Sequence, residues 1–393
     1  MPTRRFFAFI FLAFILYFLA NQTQVGWVYI MVNGLLGIVI ASLIYSYGLL
    51  NFIEIKRTFD NSGDLTITNL HEDDILEITL EFRNARIKPV LLLSGHEQCP
   101  FAPVDDQKQS FFMSLLTKNN PIQLSYHVIC DRRGLYTFSD VHLKSHGGFG
   151  FLTRQRTLAV PSEIMIYPRY ERLKRLRVFE NKMLAERESR RIGVGNQVIG
   201  TREYRHGDSL RTIHWRSTAR TGKLVVKEFS RDDQLTMTVV LDLSTTANVG
   251  DGKFSTFETA IRITASLGYY ARQKRVPFYI TGMAKRWTPP TIALSWWSML
   301  NYLAKVQNDG DVSLSSVLHQ LHSMPFIIVL VTNPDEKLIK SLQALRQICS
   351  QILAIFITPD GDLPTIVKLK SSVGLTVLCV SPHNWENMLK LYS

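Results

Sequence analysis

Two apolar segments, separated by four polar residues, open the chain. Residues 6–20 are apolar throughout, and residues 25–52 are apolar except for two asparagines and some hydroxyl groups. A helix needs about 20 residues to cross a bilayer, so the second segment is long enough, and the first becomes so by including Asn21 and Gln22. We therefore predict that residues 1–53 form a hairpin of two transmembrane helices.

The charges that flank the two segments predict their orientation. Arg4 and Arg5 precede the first segment, Lys56 and Arg57 follow the second, and the linker between the segments carries no charge. Because basic residues concentrate on the cytoplasmic side, we expect both termini in the cytoplasm and the spans in the inner (plasma) membrane. A secretion signal is the alternative, but no A-x-A cleavage site follows and a second apolar segment comes at once.

Short segments with alternating apolar and polar residues follow, from residue 54 to residue 168. In ILEITLEF, at residues 75–82, the even-numbered residues are all apolar and the odd-numbered ones include two glutamates. This period of two is typical of a half-buried antiparallel strand, and several such segments between turn-forming residues indicate a small β-sandwich-like domain. We expect residues 105–114 to be a loop or the end of a hairpin.

From residue 235 onward, apolar strands alternate with helices. Strands are predicted at 235–243, 277–281, 326–332, 352–358 and 375–380, and helices at 258–274, 294–307, 314–322, 336–348 and 383–391. Nearly continuous apolar strands are typical of parallel sheets that helices cover on both faces. The fold class is therefore α/β, and we expect a doubly wound, Rossmann-type domain within residues 201–393. Such domains bind ligands beyond the carboxyl ends of their strands.

The positive charge of the chain is dense between these two domains. The chain has 45 Lys and Arg residues against 33 Asp and Glu residues, a net charge of +12, and residues 169–200 are rich in arginine. We expect a basic linker there, which either is exposed and mobile or contacts anionic headgroups of the lipid bilayer. No nucleic-acid motif accompanies the charge, so we expect no specific nucleic-acid partner.

The densest cationic stretch is TREYRHGDSLRTIHWRSTARTGKLVVKEF, residues 201–229. Gly-Asp at its centre is typical of a turn, and Asp208 is placed to cap a short helix over residues 209–219. Gly222 is placed to end that helix in the left-handed conformation, and a strand follows at residues 223–229. The stretch is therefore predicted to form a turn, a short helix and a strand at the entry to the α/β domain.

Two interpretations of this stretch are open. In the first, Asp208 and Glu228 pair with several arginines, and the pairs have a structural role. In the second, the chain is an enzyme, a hydrolase or a phosphotransferase, in which Asp208, Arg211 and His214 act on an anionic substrate with His206 or His214 as the base. No Ser or Cys stands at a position typical of a nucleophile, so we favour the first and expect no enzyme.

The same stretch resembles the hallmark of the bacterial domain-of-unknown-function 58 family, R-x-Y-x-P-G-D-x-x-R-x-I-x-W-x-x-S/T-A-R. The matching residues are Arg202, Tyr204, Gly207, Asp208, Arg211, Ile213, Trp215, Thr218, Ala219 and Arg220, whereas His206 replaces the proline of the family. The resemblance implies two membrane helices, a β-rich segment and a von Willebrand factor A-like α/β domain. It also implies partnership with a MoxR-type AAA+ ATPase in the assembly or maturation of other complexes, whose client protein the sequence does not identify.

The segment after the first strand of the α/β domain resembles a metal-ion motif. DLSTT is similar to the D-x-S-x-S signature of von Willebrand factor A domains, in which a carboxylate and hydroxyl groups hold a divalent ion. The resemblance implies ligands at Asp242, Ser244 and Thr246, and a further one at Ser313. Asn333 stands where a second aspartate belongs, and its missing charge weakens the site. The site therefore either holds Mg²⁺ or is degenerate and binds no cofactor.

These observations predict a scaffold more readily than a reaction. The sequence contains no P-loop and therefore does not hydrolyse ATP by itself. We expect a membrane-anchored, cytoplasmic interaction protein, in which the α/β domain presents a binding face to the ATPase and to the client.

Overall fold

The computed structural model describes residues 2–61, 69–192, 198–205, 213–229, 235–246, 248–321, 324–349, 351–359 and 375–391. The chain divides into two compact units, an N-terminal unit, Met1–Tyr167, and a C-terminal unit, Pro168–Ser393. Each unit has a hydrophobic core of its own.

The N-terminal unit begins with two helices, α1 (Arg4–Thr23) and α2 (Gly26–Ser46), each long and apolar enough to cross a membrane. They form the predicted hairpin. Helix α1 ends at Gln24, whose left-handed backbone (φ 51°) lets its N–H donate to the Ala20 carbonyl. The residues of α1 that are buried are small alanines, whereas its phenylalanines are mostly exposed, so the outer surface of the hairpin is apolar.

The described part of this unit continues with seven strands: β1 Ile53–Asn61, β2 Ile75–Asn84, β3 Val90–Gln98, β4 Lys108–Leu116, β5 Ile122–Ile129, β6 Gly134–Ser145 and β7 Arg154–Ile166. They form two antiparallel sheets, one in the order β1-β2-β5 and one in the order β4-β3-β6-β7. In β2 the alternate side chains from Leu76 to Phe82 are buried, as its sequence predicts. The predicted β-rich domain is confirmed.

Strand β4 corrects one prediction. The sequence favours a loop or a hairpin end at residues 105–114, but β4 pairs with β3 along its whole length. The segment KQSFFMSLL lacks strict alternation, and only Met113 and Leu116 are fully buried. Backbone pairing with β3, which a local pattern does not report, makes this segment a strand.

A buried ion pair joins the two sheets of the N-terminal unit. Arg57 on β1 donates through Nη2 to Glu97 on β3 at 2.7 Å, and both side chains are inaccessible to solvent. Tyr126 on β5 donates its hydroxyl to the other oxygen of Glu97. The Arg57 guanidinium also donates to the Val160 carbonyl (2.6 Å) and to the Ser162 hydroxyl (3.1 Å) on β7. Each charge of this cluster therefore has several hydrogen-bond partners.

The C-terminal unit contains an open parallel sheet. The described strands of this unit are β8 Val198–Glu203, β9 Val225–Phe229, β10 Met237–Val240, β11 Phe278–Thr281, β12 Ile327–Val331, β13 Ile352–Ile357 and β14 Thr376–Val380. Its described helices are α3 Arg177–Ile192, α4 Trp215–Thr221, α5 Thr256–Lys274, α6 Trp296–Lys305, α7 Leu314–His319, α8 Glu336–Ile348 and α9 Trp385–Leu391. The last five strands pair in parallel in the order β11-β10-β12-β13-β14, and every residue of β10, β12 and β13 is buried. The predicted Rossmann-like α/β arrangement is confirmed.

The first part of the segment expected to be an exposed basic linker is packed instead. Leu173, Leu176 and Phe179 are at most 3% exposed. The Glu171 N–H donates to the Ser266 hydroxyl of α5 at 2.9 Å. Because one apolar side chain recurs at every third position among the arginines, this segment covers the sheet domain with one face while its cations remain outside.

Candidate functional site

The parallel sheet reverses its direction of growth at β10. From β10 the chain passes through α5 to β11 on one side, and it later enters β12 on the other side of β10. In open α/β sheets, ligands bind in the crevice that such a reversal leaves beyond the carboxyl ends of the strands. Asp242 follows β10 and Thr332 follows β12, so both residues lie at this crevice.

Asp242 is a carboxyl group that is almost completely buried. It is 6% exposed, and its Oδ1 accepts hydrogen bonds from the Ser244 N–H at 3.1 Å and from the Ser244 hydroxyl at 2.8 Å. Burial raises the pKa of Asp242, and these hydrogen bonds oppose the shift without cancelling it. A perturbed carboxyl group in a crevice is a candidate for a functional site.

The hydroxyl group of Thr332 lies beside this carboxyl group. Thr332 is 2% exposed, and its hydroxyl is near enough to Asp242 to lower the pKa of that carboxyl slightly. Even so, it makes no hydrogen bond of normal geometry to any described residue, and neither does the buried hydroxyl of Thr358, which follows β13. Buried polar groups are nearly always hydrogen-bonded, so these two hydroxyls at one sheet edge are available to a ligand, a partner or an ordered water.

A second loop, residues 307–313, is fixed against the segment that follows β10. The Gly310 N–H donates to the Leu243 carbonyl at 2.8 Å. A Cβ atom at Gly310 would lie 2.4 Å from the Met283 carbonyl oxygen and 3.0 Å from that of Leu243, so only glycine permits this approach. The contact brings the loop that carries Ser313 to the edge of the crevice.

The structure brings two of the predicted metal ligands into direct contact. Asp242 and Ser244 are hydrogen-bonded to each other, whereas Thr246 is exposed on the same turn. The Ser313 hydroxyl is 2.9 Å from the Ser315 hydroxyl and 3.1 Å from the Ser316 hydroxyl, at the start of α7. The Ser313 hydroxyl therefore contacts hydroxyls of its own helix. Asn333, at the position of the expected second aspartate, is exposed.

Asp242 supplies the one carboxylate among the ligands that the resemblance implies for Mg²⁺, and its Oδ1 accepts two hydrogen bonds from Ser244. Mg²⁺ takes oxygen ligands in octahedral geometry, usually one or two carboxylates together with several waters. Within the described ranges, no three His, Cys, Asp or Glu side chains are grouped in a way that could hold a metal ion. The crevice thus presents one carboxyl group and several hydroxyls, and the Mg²⁺ site stays a prediction.

The family-like stretch folds into a two-stranded ribbon with a short helix between its strands. Strands β8 and β9 are antiparallel, with Arg202 opposite Val226, and the Tyr204 N–H donates to the Leu224 carbonyl at 2.9 Å. Ile213 is buried against the ribbon. Gly207, Asp208 and Arg211 lie outside the described residues, so the roles predicted for them stay predictions.

The helix of this stretch begins later than the sequence predicts. A helix over residues 209–219, capped by Asp208, would make Ile213 helical, but Ile213 forms a β-bridge with Val226, and α4 begins at Trp215. The prediction failed because Ile213 packs as extended backbone against β9, and this tertiary contact outweighs the helical spacing of the apolar residues. The predicted end of the helix is confirmed, since Gly222 has φ 69°.

An imidazole caps α4. His214 Nδ1 accepts from the Ser217 N–H at 3.2 Å and lies 2.8 Å from the Ser217 hydroxyl. Nδ1 therefore caps the helix, and Nε2 is the ring nitrogen that this cap does not use. Trp215, Ala219 and Arg220 are exposed on α4. The described part of the stretch is thus a structural element with an exposed, cationic helix.

Sequence reasoning overlooked two residues of the crevice. Thr332 ends the apolar segment FIIVLVT, and a hydroxyl directly after a buried strand was a signal for a residue at the carboxyl edge. Gly310 lies in the same loop as Ser313, but its close approach to Leu243 depends on contacts between distant segments, which no local pattern contains.

Comparison with known proteins finds a family model that matches part of the chain, and it gives no established activity. Residues 200–312 match the model of the family described as "Protein of unknown function DUF58". The chain is also 22% identical over 225 residues to the "Uncharacterized protein YeaD" of Bacillus subtilis (strain 168), a match that covers 54% of this chain and 52% of that protein. The chain thus spans about half the length of this curated relative.

Solved structures resemble the chain only weakly. The X-ray structure of Northeast Structural Genomics Consortium target SoR45 has a TM-score of 0.20 and 12% identity, and the match covers 30% of this chain and 89% of that chain. The sporulation control protein Spo0M from Bacillus subtilis has a TM-score of 0.16 and 11% identity, with 38% and 57% covered. Similarities this weak assign neither a fold nor a function.

Proposed function

We propose that this chain, a member of the DUF58 family by its residues 200–312, is a membrane-anchored scaffold protein that binds a partner protein at the carboxyl edge of its parallel sheet. One observation carries the proposal: the buried carboxyl group of Asp242 lies beside the unpaired, buried hydroxyl of Thr332 at the reversal point of the sheet. These groups offer hydrogen-bond acceptors and donors to a partner protein.

The surroundings of the crevice suit a protein partner. Between β10 and α5 the chain runs along the carboxyl edge of the sheet, and the Phe254 ring reaches within 4.8 Å of the His383 ring, which follows β14. Val249, Phe254 and Val312 are 40%, 50% and 37% exposed. Exposed apolar side chains around a hydrogen-bonding centre are typical of interfaces between proteins. In this proposal the edge is the binding face, as the resemblance to von Willebrand factor A domains implies.

Anchoring comes from α1 and α2 in this proposal. The two helices cross the inner (plasma) membrane, and both termini are cytoplasmic because Arg4, Arg5, Lys56 and Arg57 flank the hairpin on one side. Accessibility of introduced cysteines to a membrane-impermeant thiol reagent in intact cells tests the orientation. A cysteine at Gln22 is expected to react from outside the cell and a cysteine at Pro2 is not.

The partner that we propose is a MoxR-type AAA+ ATPase, acting with this chain on an unidentified client complex. The family resemblance supports this choice, and the crevice supplies the contact. In co-purification of the full chain with such an ATPase, Asp242→Asn is expected to reduce recovery of the ATPase at least about tenfold, since a buried interfacial hydrogen-bonding group is worth roughly 1.5–3 kcal/mol. Asp140→Asn, an exposed aspartate on β6, is the matched control and should leave recovery unchanged.

Two outcomes would contradict the proposal. One is equal recovery of the ATPase with Asp242→Asn and with the unaltered chain. The other is turnover of phosphoesters by the purified chain that His214→Ala abolishes, because this would establish the alternative, a hydrolase or phosphotransferase that uses the family stretch. The contact between His214 and Ser217 is the observation that makes this assay worthwhile.

A further inference from the structure

The turn between β2 and β3, residues 85–89, is attached to the end of α2. The Lys88 ammonium group donates to the Ile44 carbonyl at 2.9 Å, and the Tyr45 hydroxyl donates to the Pro89 carbonyl at 2.7 Å. Since α2 ends at Ser46, the turn lies within one helical turn of the end of this membrane-length helix.

The turn between β6 and β7, residues 146–153, is attached to the beginning of α1. Thr3, which precedes α1, donates its hydroxyl to the Gly150 carbonyl at 2.8 Å and its N–H to the Phe151 carbonyl at 2.9 Å. The Phe9 and Phe151 rings are 4.7 Å apart. This turn therefore reaches past the start of α1 to its second turn. We name residues 85–89 and 146–153 the lipid-side turns.

The length of α1 sets the depth of these turns in the membrane. The helix has 20 residues, which corresponds to about 30 Å, the thickness of the hydrocarbon core of a bilayer. A spanning helix of this length lies within the hydrocarbon core from its first residue to its last. Phe9 is five residues after the start of α1, so a side chain beside it lies about 8 Å inside the acyl chains.

Large apolar side chains are exposed together at this end of the unit. Ile87, at the tip of the first lipid-side turn, is 83% exposed, and Phe149, at the tip of the second, is 54% exposed. Tyr47 and Phe52, which follow α2, are 76% and 47% exposed. Turn tips that face water are usually polar, and a group of exposed apolar side chains indicates an interaction surface.

Cations accompany these apolar side chains. The Arg86 guanidinium lies 5.1 Å from the centre of the Phe52 ring. A guanidinium nitrogen of Arg5 lies 3.4 Å from the position that a Cβ atom of Gly150 would occupy. Both arginines are exposed, so their charges are available to anionic groups. Aromatic and basic side chains of this kind are enriched at the interface between membrane and water.

We propose that the tips of the lipid-side turns insert into the bilayer that α1 and α2 cross, with Ile87 and Phe149 among the acyl chains and with Arg5 and Arg86 on anionic phospholipid headgroups. The occupant of this surface is the bilayer because the turns are hydrogen-bonded to helices that end in it. The inference rests on the proposed anchoring by α1 and α2. It adds that the β-sandwich-like domain is seated on the membrane at a fixed depth.

Fluorescence quenching tests the depth. Single cysteines at Ile87, Phe149, Phe14 and Val104 are labelled with the fluorophore NBD in the full chain, reconstituted into phosphatidylcholine–phosphatidylglycerol vesicles whose acyl chains carry nitroxide quenchers. Val104 is the matched control, because it is 79% exposed at the other end of β3, about 30 Å from the lipid-side turns. The unmodified chain, whose four native cysteines are buried or half-buried, gives the background labelling.

Quenching at Ile87 and Phe149 is expected to exceed that at Val104 at least about threefold, since only the first two sites reach the acyl chains. Strong quenching at Phe14 in the middle of α1, together with quenching at Ile87 and Phe149 no greater than at Val104, overturns the insertion and leaves the anchoring intact. Absence of quenching at Phe14 overturns the anchoring itself. The two failures are thus distinguishable.

Lipid selectivity tests the role of the cations. In native mass spectrometry of the full chain released from mixed vesicles, Arg86→Gln should lower the preference for phosphatidylglycerol over phosphatidylcholine about fivefold, which is roughly 1 kcal/mol for one surface charge. Arg132→Gln, at an exposed arginine in the β5–β6 turn at the other end of the unit, should leave it unchanged. Equal preference in the unaltered chain and in Arg86→Gln overturns the headgroup contact.

Discussion

Each unit of the molecule buries a carboxyl group, and the two groups differ in their hydrogen-bond partners and in whether a cation pairs with them. Glu97, between the sheets of the N-terminal unit, accepts hydrogen bonds from Arg57 and Tyr126. Arg57 in turn donates to two further acceptors on β7. Asp242, at the edge of the parallel sheet, receives Ser244 alone as a close partner and has an unpaired hydroxyl beside it. No cation pairs with Asp242 among the described salt bridges.

The difference separates a structural charge, Glu97, from Asp242, the carboxyl group that we propose to be functional. A buried ion pair with several hydrogen bonds is costly to break, because removing one member leaves the other as an uncompensated buried charge. A buried carboxyl group without a counter-charge destabilises the fold instead, and such a cost is typically retained at binding sites. The burial of the two groups is similar, so their partners, and not their depth, identify the site.

The largest expected effect is on the structural charge. Glu97→Gln should lower the free energy of local opening around β1 and β3 by about 3–5 kcal/mol, because Arg57 is left as a buried, unpaired cation. Amide hydrogen exchange of the full chain in detergent micelles, read on peptides from these two strands, measures this change. Glu81→Gln is the matched control. Its partner Arg83 is mostly exposed, so the loss should stay under about 1 kcal/mol, and equal losses for the two variants would contradict the comparison.

The next effect concerns the loop at the edge of the crevice, residues 307–313. Gly310→Ala should destabilise the C-terminal unit by about 1–3 kcal/mol, because the added Cβ atom meets two carbonyl oxygens of fixed backbone. Faster hydrogen exchange is expected in residues 241–246 and 307–313 together, since the Gly310 N–H holds the two segments to each other. If only one of the two segments changes, the crevice is not built as a single unit.

The pH dependence of stability tests the sign of the burial effect at Asp242. Burial raises its pKa in the folded state above the value in the unfolded chain, so the folded state binds the proton more tightly. Its contribution to stability is therefore present at low pH and is lost as the pH rises through the raised pKa. Asp242→Asn should remove this loss.

Thermal unfolding of the C-terminal unit at about pH 7.5 and about pH 5 measures the effect. The variant is expected to be more stable than the unaltered chain at the higher pH, and the difference should shrink at the lower pH. Glu97→Gln, measured on the unfolding of the N-terminal unit, is expected to be destabilising at both pH values and provides the contrast. A variant that is less stable at the higher pH would show that Asp242 has a counter-charge in solution and belongs with Glu97.

The smallest expected effect is at Thr332. Replacing its hydroxyl by a methyl group in Thr332→Val should change the free energy of unfolding by less than about 0.5 kcal/mol, because the hydroxyl makes no hydrogen bond of normal geometry to any described residue. Thr264→Val is the matched control, since that buried hydroxyl donates to the Ala260 carbonyl at 2.7 Å and its loss should cost about 0.5–1.5 kcal/mol. Recovery of the proposed ATPase should nevertheless fall for Thr332→Val and stay unchanged for Thr264→Val.

The periodicity of the sequence predicted the elements whose burial is regular. The apolar segments of β10, β12 and β13 and the alternation of β2 report burial directly, and the structure confirms them. The start of α4 and the strand β4 were not predictable in this way, because β-pairing of Ile213 with Val226 and of β4 with β3 decides them. Asp242 and Ser244 could be found from a motif, whereas Thr332 and Gly310 join the crevice only through the topology of the sheet.

The packed segment at the beginning of the C-terminal unit affects how the protein is made. Glu171 bonds to Ser266, which lies 95 residues later in the chain. At roughly 5–20 residues synthesised per second, the apolar side chains of this segment stay without their packing partner for about 5–20 s, until α5 has been synthesised. During that interval Leu173, Leu176 and Phe179 are candidates for binding by a chaperone, and a fragment that begins at residue 201 would lack them altogether.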